Sequence, residues 1–300
     1  MPKNTNVKST PVIINNDDCL DDKSALTAAS NTTKKITHET STQQQLLNLA
    51  KQFALADGLK PADQQLPIME RAKRHQQTCK IRQQKNLEAI IQQALEYSSL
   101  EEITDRADAD WFNSFILLAE NISNQTMQAL WSKILAGEIA RPGSFSLKAL
   151  KVFKDMSISD AKLLSKARSL SVKDTHNNTM RIISGVYQKP NLLSVFFGNK
   201  QYRLNLAEFG LNYSDLLALE VNNLIFTQEA ETRPLQKNET LIFDYNGTPL
   251  SLGYKTNNVC LNFYKFTAIG NELSQLIANT PNSQYQHVLQ THLAELLLIN

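Results

Sequence analysis

The residues with the most chemistry to offer are basic, and they recur at helical spacing. Arg71, Arg74, Arg82 and Lys85 fall on one side of a helix drawn at 100° per residue. Met69, Ala72, Cys79, Leu87 and Ile90 fall on the opposite side. A second set, Lys162, Lys166 and Lys173, follows i, i+4, i+11 and lies opposite Leu163, Leu164 and Leu170. Rows of cations on a helix suit a phosphate backbone, so both sets are candidate nucleic-acid contacts. A solvated helix face carries the same pattern. The long helix is the better phosphate track, because its charges are spread over roughly 20 Å. Segments 147–155 and 160–171, joined by a short turn, also read as a helix-turn-helix. That turn lacks Gly, and base-reading Arg, Asn and Gln are sparse on its second helix.

Catalytic arrangements are not evident. His38, His75, His176, His287 and His292 sit in a tail, a basic helix, a junction and the last helix, and no G-x-S-x-G, P-loop or H-E-x-x-H occurs. His292 lines up with Tyr285, Val288, Leu289, Leu296 and Ile299, which reads as a core or interface position on a closing helix. Asp108-x-Asp110 reads as a helix start, since a cation site needs further spaced acids. The sequence therefore assigns no catalytic, cofactor-binding or metal-ligating residue, and no cofactor is expected. Glu138 is the one polar residue at the end of an apolar stripe formed by Met127, Leu130, Trp131, Ile134 and Leu135. It is expected to cap nearby backbone or reach Arg141, tying the following turn to its helix.

Those residues need elements to carry them. Segment 122–170 holds three helix starts on one plan: an apolar residue, then Ser, then an apolar residue four positions on. They are Ile122-Ser123 with Met127, Phe145-Ser146 with Leu150, and Ile158-Ser159 with Leu163. Each reads as a Ser N-cap with a hydrophobic staple. A short helix is expected over 43–55, a long one over 67–98, and another from Asp110 carrying Trp111, Phe112, Phe115, Ile116 and Ala119 inward.

From Thr175 the composition turns to strands: Arg181–Gln188, Leu192–Phe197, Gln201–Leu206 and Val259–Phe266. Asn246-Gly247 between apolar runs predicts a hairpin. A helix is expected after Ser214, and two more close the chain, over 268–278 and 284–299. The class is α+β, an all-helical N-terminal half followed by a β-rich C-terminal domain. Three regions follow: a disordered tail over 1–42, a helical domain over 43–175, and a mixed strand and helix domain over 176–300.

The remaining properties are bland. The 31 basic and 29 acidic residues nearly cancel, and the tail's five Lys match its five acids. A pI near 8.3 demands no polyanionic partner. Cys19, Cys79 and Cys260 show neither disulfide-framework nor zinc-knuckle spacing. With no run of 18 apolar residues, the expectation is a cytoplasmic protein without a membrane span.

The run Trp131-Ser-Lys-Ile-Leu-Ala-Gly-Glu138, followed by Pro142, Gly143, Phe145, Ser146 and Leu150, resembles an uncharacterised bacterial domain-of-unknown-function family. Its hallmark is W-x-x-[IL]-[IL]-A-x-E, then P-G-x-[FY]-S, and the resemblance covers residues 66–172. Thr267-Ala268-Ile269-Gly270 is similar to the T-x-x-G opening of a closing helix in some winged-helix-like proteins. Neither resemblance implies an activity. The expected function is a non-enzymatic binding or interaction module with a protein partner. A nucleic-acid-binding regulator is the first alternative, and an enzyme of another class the second.

Overall fold

A computed structural model describes residues 41–98, 106–189, 201–292 and 297–299. The expected tail, apart from its last two residues, and the expected strand Leu192–Phe197 lie outside the described residues. The chain is α+β, with helices over 42–169 followed by an antiparallel sheet. It divides into two compact units. The smaller contains 41–96 and 119–132; the larger contains 97–118 and the chain from 133 onward.

The smaller unit holds α1 (Thr42–Gln52) and most of α2 (Ile68–Tyr97). Ser41 caps α1 by accepting from the Gln44 N–H. Two short 3-10 turns, Ala56–Leu59 and Ala62–Gln64, lead to α2. Asn86 is buried on α2; its side chain donates to the Glu120 carbonyl at 2.8 Å and to Ser123 Oγ at 3.1 Å. Ser132 Oγ donates to the Ile90 carbonyl at 2.9 Å. These bonds satisfy polar groups that burial would otherwise penalise.

The helices of segment 109–169 are α3 (Ala109–Ala119), α4 (Gln125–Ala140), α5 (Leu147–Asp155) and α6 (Ile158–Ser169). Of the three expected Ser caps, only Ser146 caps as expected, accepting from the Ala149 N–H. Its staple residues Phe145 and Leu150 are both buried. In α4 the cap is Asn124, which accepts from the Met127 N–H at 3.1 Å, because Ser123 is already taken by Asn86. In α6 the cap is Ser157, two residues before the expected Ser159. Ser157 and Asp160 exchange hydrogen bonds as a capping box, and these hold the Asp160 carboxyl below the usual carboxylate range. The staple position then falls on buried Met156, and Ile158 is left exposed.

The sheet has eight strands among the described residues: β1 (Ser171–Asp174), β2 (Met180–Gln188), β3 (Gln201–Arg203), β4 (Ala230–Glu231), β5 (Thr240–Tyr245), β6 (Thr248–Tyr254), β7 (Val259–Lys265) and β8 (Leu297–Ile299). The order is β4-β7-β2-β1-β5-β6-β8, with every pairing antiparallel. One edge of β2 pairs with β7; the other is shared by β1 near its start and β3 near its end. Residues 182–186 of β2 are all buried, as in a strand covered on both faces. β6 instead alternates, burying Leu250, Leu252 and Tyr254.

Asn246 and Gly247, with φ of 52° and 93°, form the expected two-residue turn between β5 and β6. Both central residues need positive φ there, which Asn and Gly tolerate. Three expectations are corrected by the sheet. Lys173 lies in β1, not on α6, which ends at Ser169 because Leu170 leaves the helix and starts the turn into the strand. The last helix, α9 (Ser283–His292), stops short, and Leu297–Ile299 pairs with the otherwise open edge of β6. Strand β3 ends at Arg203, since Asn205 caps a 3-10 turn at Leu206–Phe209.

Two further helices complete the larger unit. The cap of α7 (Tyr213–Val221) is Asn212, not the expected Ser214, because Asn212 and Asp215 form another capping box. Thr267 caps α8 (Ala268–Ser274) by accepting from the Gly270 N–H at 3.0 Å. Here the T-x-x-G spacing has a steric reason. A Cβ on Gly270 would lie 1.9 Å from the Leu224 carbonyl oxygen.

Two stability outcomes follow. Gly270→Ala forces backbone apart and is expected to cost at least about 1–3 kcal/mol, the overpacking range. Trp131 is fully buried on α4. Trp131→Ala is expected to cost about 3–5 kcal/mol in urea denaturation. A cost under about 1 kcal/mol for either would contradict this packing.

Candidate nucleic-acid interface

The exposed basic hairpin α5–α6 is built around a buried motif. Glu138, 3% exposed at the end of α4, accepts from the Gly143 N–H at 2.7 Å and the Phe145 N–H at 2.9 Å. The expected tie between Glu138 and the Pro142-Gly143 turn is therefore real, and it runs to backbone. Gly143 adopts φ 84°, with open space where a Cβ would sit. Trp111 Nε1 donates to the Phe145 carbonyl at 2.7 Å, and the ring of Phe145 lies against Gly137. Glu272 on α8 accepts from the Ser146 N–H at 2.7 Å. One loop, 141–146, is thus held by groups from α3, α4 and α8, and its last residue starts α5.

The far end of the hairpin is held by a residue that sequence reading passed over. Arg168 on α6 is 6% exposed. Its guanidinium donates to Asn246 Oδ1 and to Asn279 Oδ1, each at 2.5 Å. Burial lowers its pKa from the usual guanidinium value, while the charge of Asp244 works the other way. Asn246 returns a bond to the Ser169 carbonyl at 3.2 Å, and the Tyr245 hydroxyl donates to the same carbonyl at 2.8 Å. The α6 terminus and the β5–β6 turn therefore satisfy each other's polar groups. The signal was in the spacing: Arg168 stands four residues after buried Leu164, on the inward face.

Between these anchors the helices face outward with lysines. On α5, Ala149, Leu150 and Phe153 are buried, and Lys148, Lys151 and Lys154 are exposed on the opposite side. On α6, Lys162 and Lys166 are exposed. None of these five is in an ion pair among the described residues. The three on α5 form a row too short to stand out in the sequence. Lys173 is half-buried on β1, directly across from Asp244 on β5.

The long-helix row is placed differently from the expectation. Arg71 is half-buried, and its Nε donates to the Leu66 carbonyl at 3.0 Å. Arg82 stacks over the Phe53 ring, 3.9 Å from its centroid. Arg74 pairs with Glu70 at 2.8 Å. Lys85 is exposed. Meanwhile Met69 is 79% exposed. Segment 53–66 packs against the arginine side of α2 in this unit, because arginine stems cover apolar surface while their heads meet carbonyls and a ring. The row is therefore not a continuous outward stripe.

The remaining features lie apart. His75 Nδ1 is 2.6 Å from the Phe53 carbonyl, and Cys79 Sγ lies 3.7 Å from His75 Nε2. Among the described residues no three His, Cys, Asp or Glu come together as a metal site, and no helix is long and apolar enough to cross a membrane.

The motif loop yields a direct test. Glu138→Gln keeps the shape but turns one acceptor into a donor facing an N–H. It is expected to lose about 1–3 kcal/mol, the cost of a buried unsatisfied group. A loss below about 0.5 kcal/mol in chemical denaturation would mean the loop does not need this carboxyl.

No curated protein and no solved structure matches the chain. The family model described as "Protein of unknown function (DUF2806)" matches residues 70–290. That span takes in α2, the Trp131 to Ser146 motif loop with both its anchors, the lysine hairpin, and the sheet through β7. The chain that builds this anchored hairpin belongs to the DUF2806 family.

Proposed function

We propose that the protein is a non-enzymatic binding module, and that its partner is a nucleic acid taken on the lysines of the α5–α6 hairpin. One observation carries the reading: five exposed lysines, Lys148, Lys151, Lys154, Lys162 and Lys166, stand on two rigidly anchored helices without ion-pair partners among the described residues. Unpaired lysines release counterions from phosphate on binding, which is the main source of sequence-independent affinity. The hairpin supports contact with the phosphate backbone more than base reading, since lysine is a point charge without a planar fork. A two-residue link, Met156-Ser157, joins the helices as in a helix-turn-helix. The Thr267 cap supports the winged-helix likeness only as a helix start, within a sheet much larger than a wing. Lys173 is a secondary contact in this reading; Arg71, Arg74 and Arg82 are engaged within the smaller unit, and exposed Lys85 of that unit is a separate candidate.

A protein partner is the second reading, favoured by α1. That helix buries no residue, and Leu46 and Leu49 are 65% and 53% exposed.

Binding to a fluorescent duplex should weaken with salt at a slope of about −4.5, or 0.9 for each of five phosphates. Reversal of Lys151 and Lys162 to Glu should flatten that slope by about 2 and leave the melting temperature unchanged, since both side chains are exposed. Absence of binding to duplex and single strand at low salt would reject the nucleic-acid reading. Loss of a captured protein in Leu46→Glu/Leu49→Glu would then support the second.

A further inference from the structure

An open cleft of about 190 Å³ lies where the start of α7 meets the sheet. Its floor is apolar: Leu204, Leu206, Leu211 and Leu216 line it, and all are buried. Its polar lining includes Glu229, Arg203 and Tyr264. We propose that this cleft binds a small zwitterion, a free α-amino acid with an apolar side chain. Its ammonium meets Glu229, its carboxylate meets Arg203, and its side chain rests on the leucines.

The geometry supports each part. Glu229 is anchored: Oε1 accepts from Ser184 Oγ at 2.5 Å, and Oε2 accepts from Asn262 Nδ2 at 3.4 Å. Ser184 is itself buried at the bulge of β2, so the carboxylate is aimed by the sheet. Two hydrogen bonds leave acceptor capacity, because a carboxylate has about four lone-pair sites. Arg203 Nη2 stands 4.0 Å from Glu229 Oε2, and its side chain is 69% exposed. That separation is beyond hydrogen-bond reach, so the guanidinium fork is open to an incoming carboxylate. An α-amino acid carries both charges within about one hydrogen-bond length of each other, which suits opposite charges set this far apart.

Tyr264 adds a neutral donor. Its hydroxyl makes no hydrogen bond among the described residues, and burial, then the charge of Glu229, raises its pKa. It therefore stays protonated at neutral pH and can donate to the ligand carboxylate. A simple carboxylic acid lacks a partner for Glu229 and brings a second negative charge beside it. A simple amine lacks a partner for Arg203. Convergent polar groups over an apolar floor are the usual composition of a small-molecule site. This site is independent of the nucleic-acid reading.

The test is calorimetric titration of the full chain with leucine, valine and phenylalanine, and with leucinamide and 4-methylpentanoate as probes lacking one charge. At least one of the amino acids is expected to bind saturably. Leucinamide and 4-methylpentanoate should bind at least about tenfold more weakly than leucine, the loss of one charge-assisted hydrogen bond. Arg203→Ala should weaken amino-acid binding by about tenfold or more and leave leucinamide binding unchanged. Its exposure makes it safe for folding, and circular dichroism of the variant checks that. No saturable binding of any amino acid to the folded protein overturns the proposal. So does undiminished binding by the Arg203 variant, or 4-methylpentanoate binding as well as leucine.

Discussion

A polar group taken out of water must find hydrogen bonds, and that requirement shapes both ends of the α5–α6 hairpin. At the start, Glu138 meets two backbone N–H groups of the loop that follows its own helix. At the finish, Arg168 meets the side chains of two asparagines, one in the β5–β6 turn and one in the loop after α8. Neither group can be moved alone, because an unpaired partner left in the interior costs more than the bond itself contributes. The hairpin is therefore held by specificity of pairing as much as by burial of Leu150, Phe153 and Leu164.

The same chemistry separates charges that build the protein from charges that face outward. Arg71 and Arg82 close the packing of the smaller unit through a carbonyl and a ring. Arg168 does comparable work in the larger one. The lysines of α5 and α6 have no such employment among the described residues. Arginine's planar fork makes fixed internal pairs, whereas a strongly hydrated ammonium favours the surface.

The motif read as a family mark turns out to have a mechanical explanation. Trp131 and the stripe around it bury α4, Glu138 ends the stripe and fastens the loop, and Gly143 turns it. Phe145 and Ser146 then staple and cap α5. Each residue type is required by a position. The cleft beside α7 has no motif at all. Its members come from β2, β3, a loop and β7, and their side chains meet only because β2 pairs with both β3 and β7.

What the sequence alone determined was local. Helical stripes such as that of α4, the Ser146 cap, the Asn246-Gly247 turn and the α+β order are all set by neighbours within a few residues, so periodicity and turn chemistry reveal them. The caps of α4 and α6 were not resolved: Ser123 and Asn124 are equally able acceptors until the distant Asn86 engages one, whereas Ser157 outcompetes Ser159 through the local capping box with Asp160. Asn86 claimed Ser123, and Asp160 selected Ser157. Tertiary structure alone decided which side of α2 is covered, that Lys173 belongs to a strand, that Leu297–Ile299 joins β6, and which asparagines Arg168 meets. Each depends on groups dozens of residues away, and their pairing energy exceeds the small local preferences that a sequence displays.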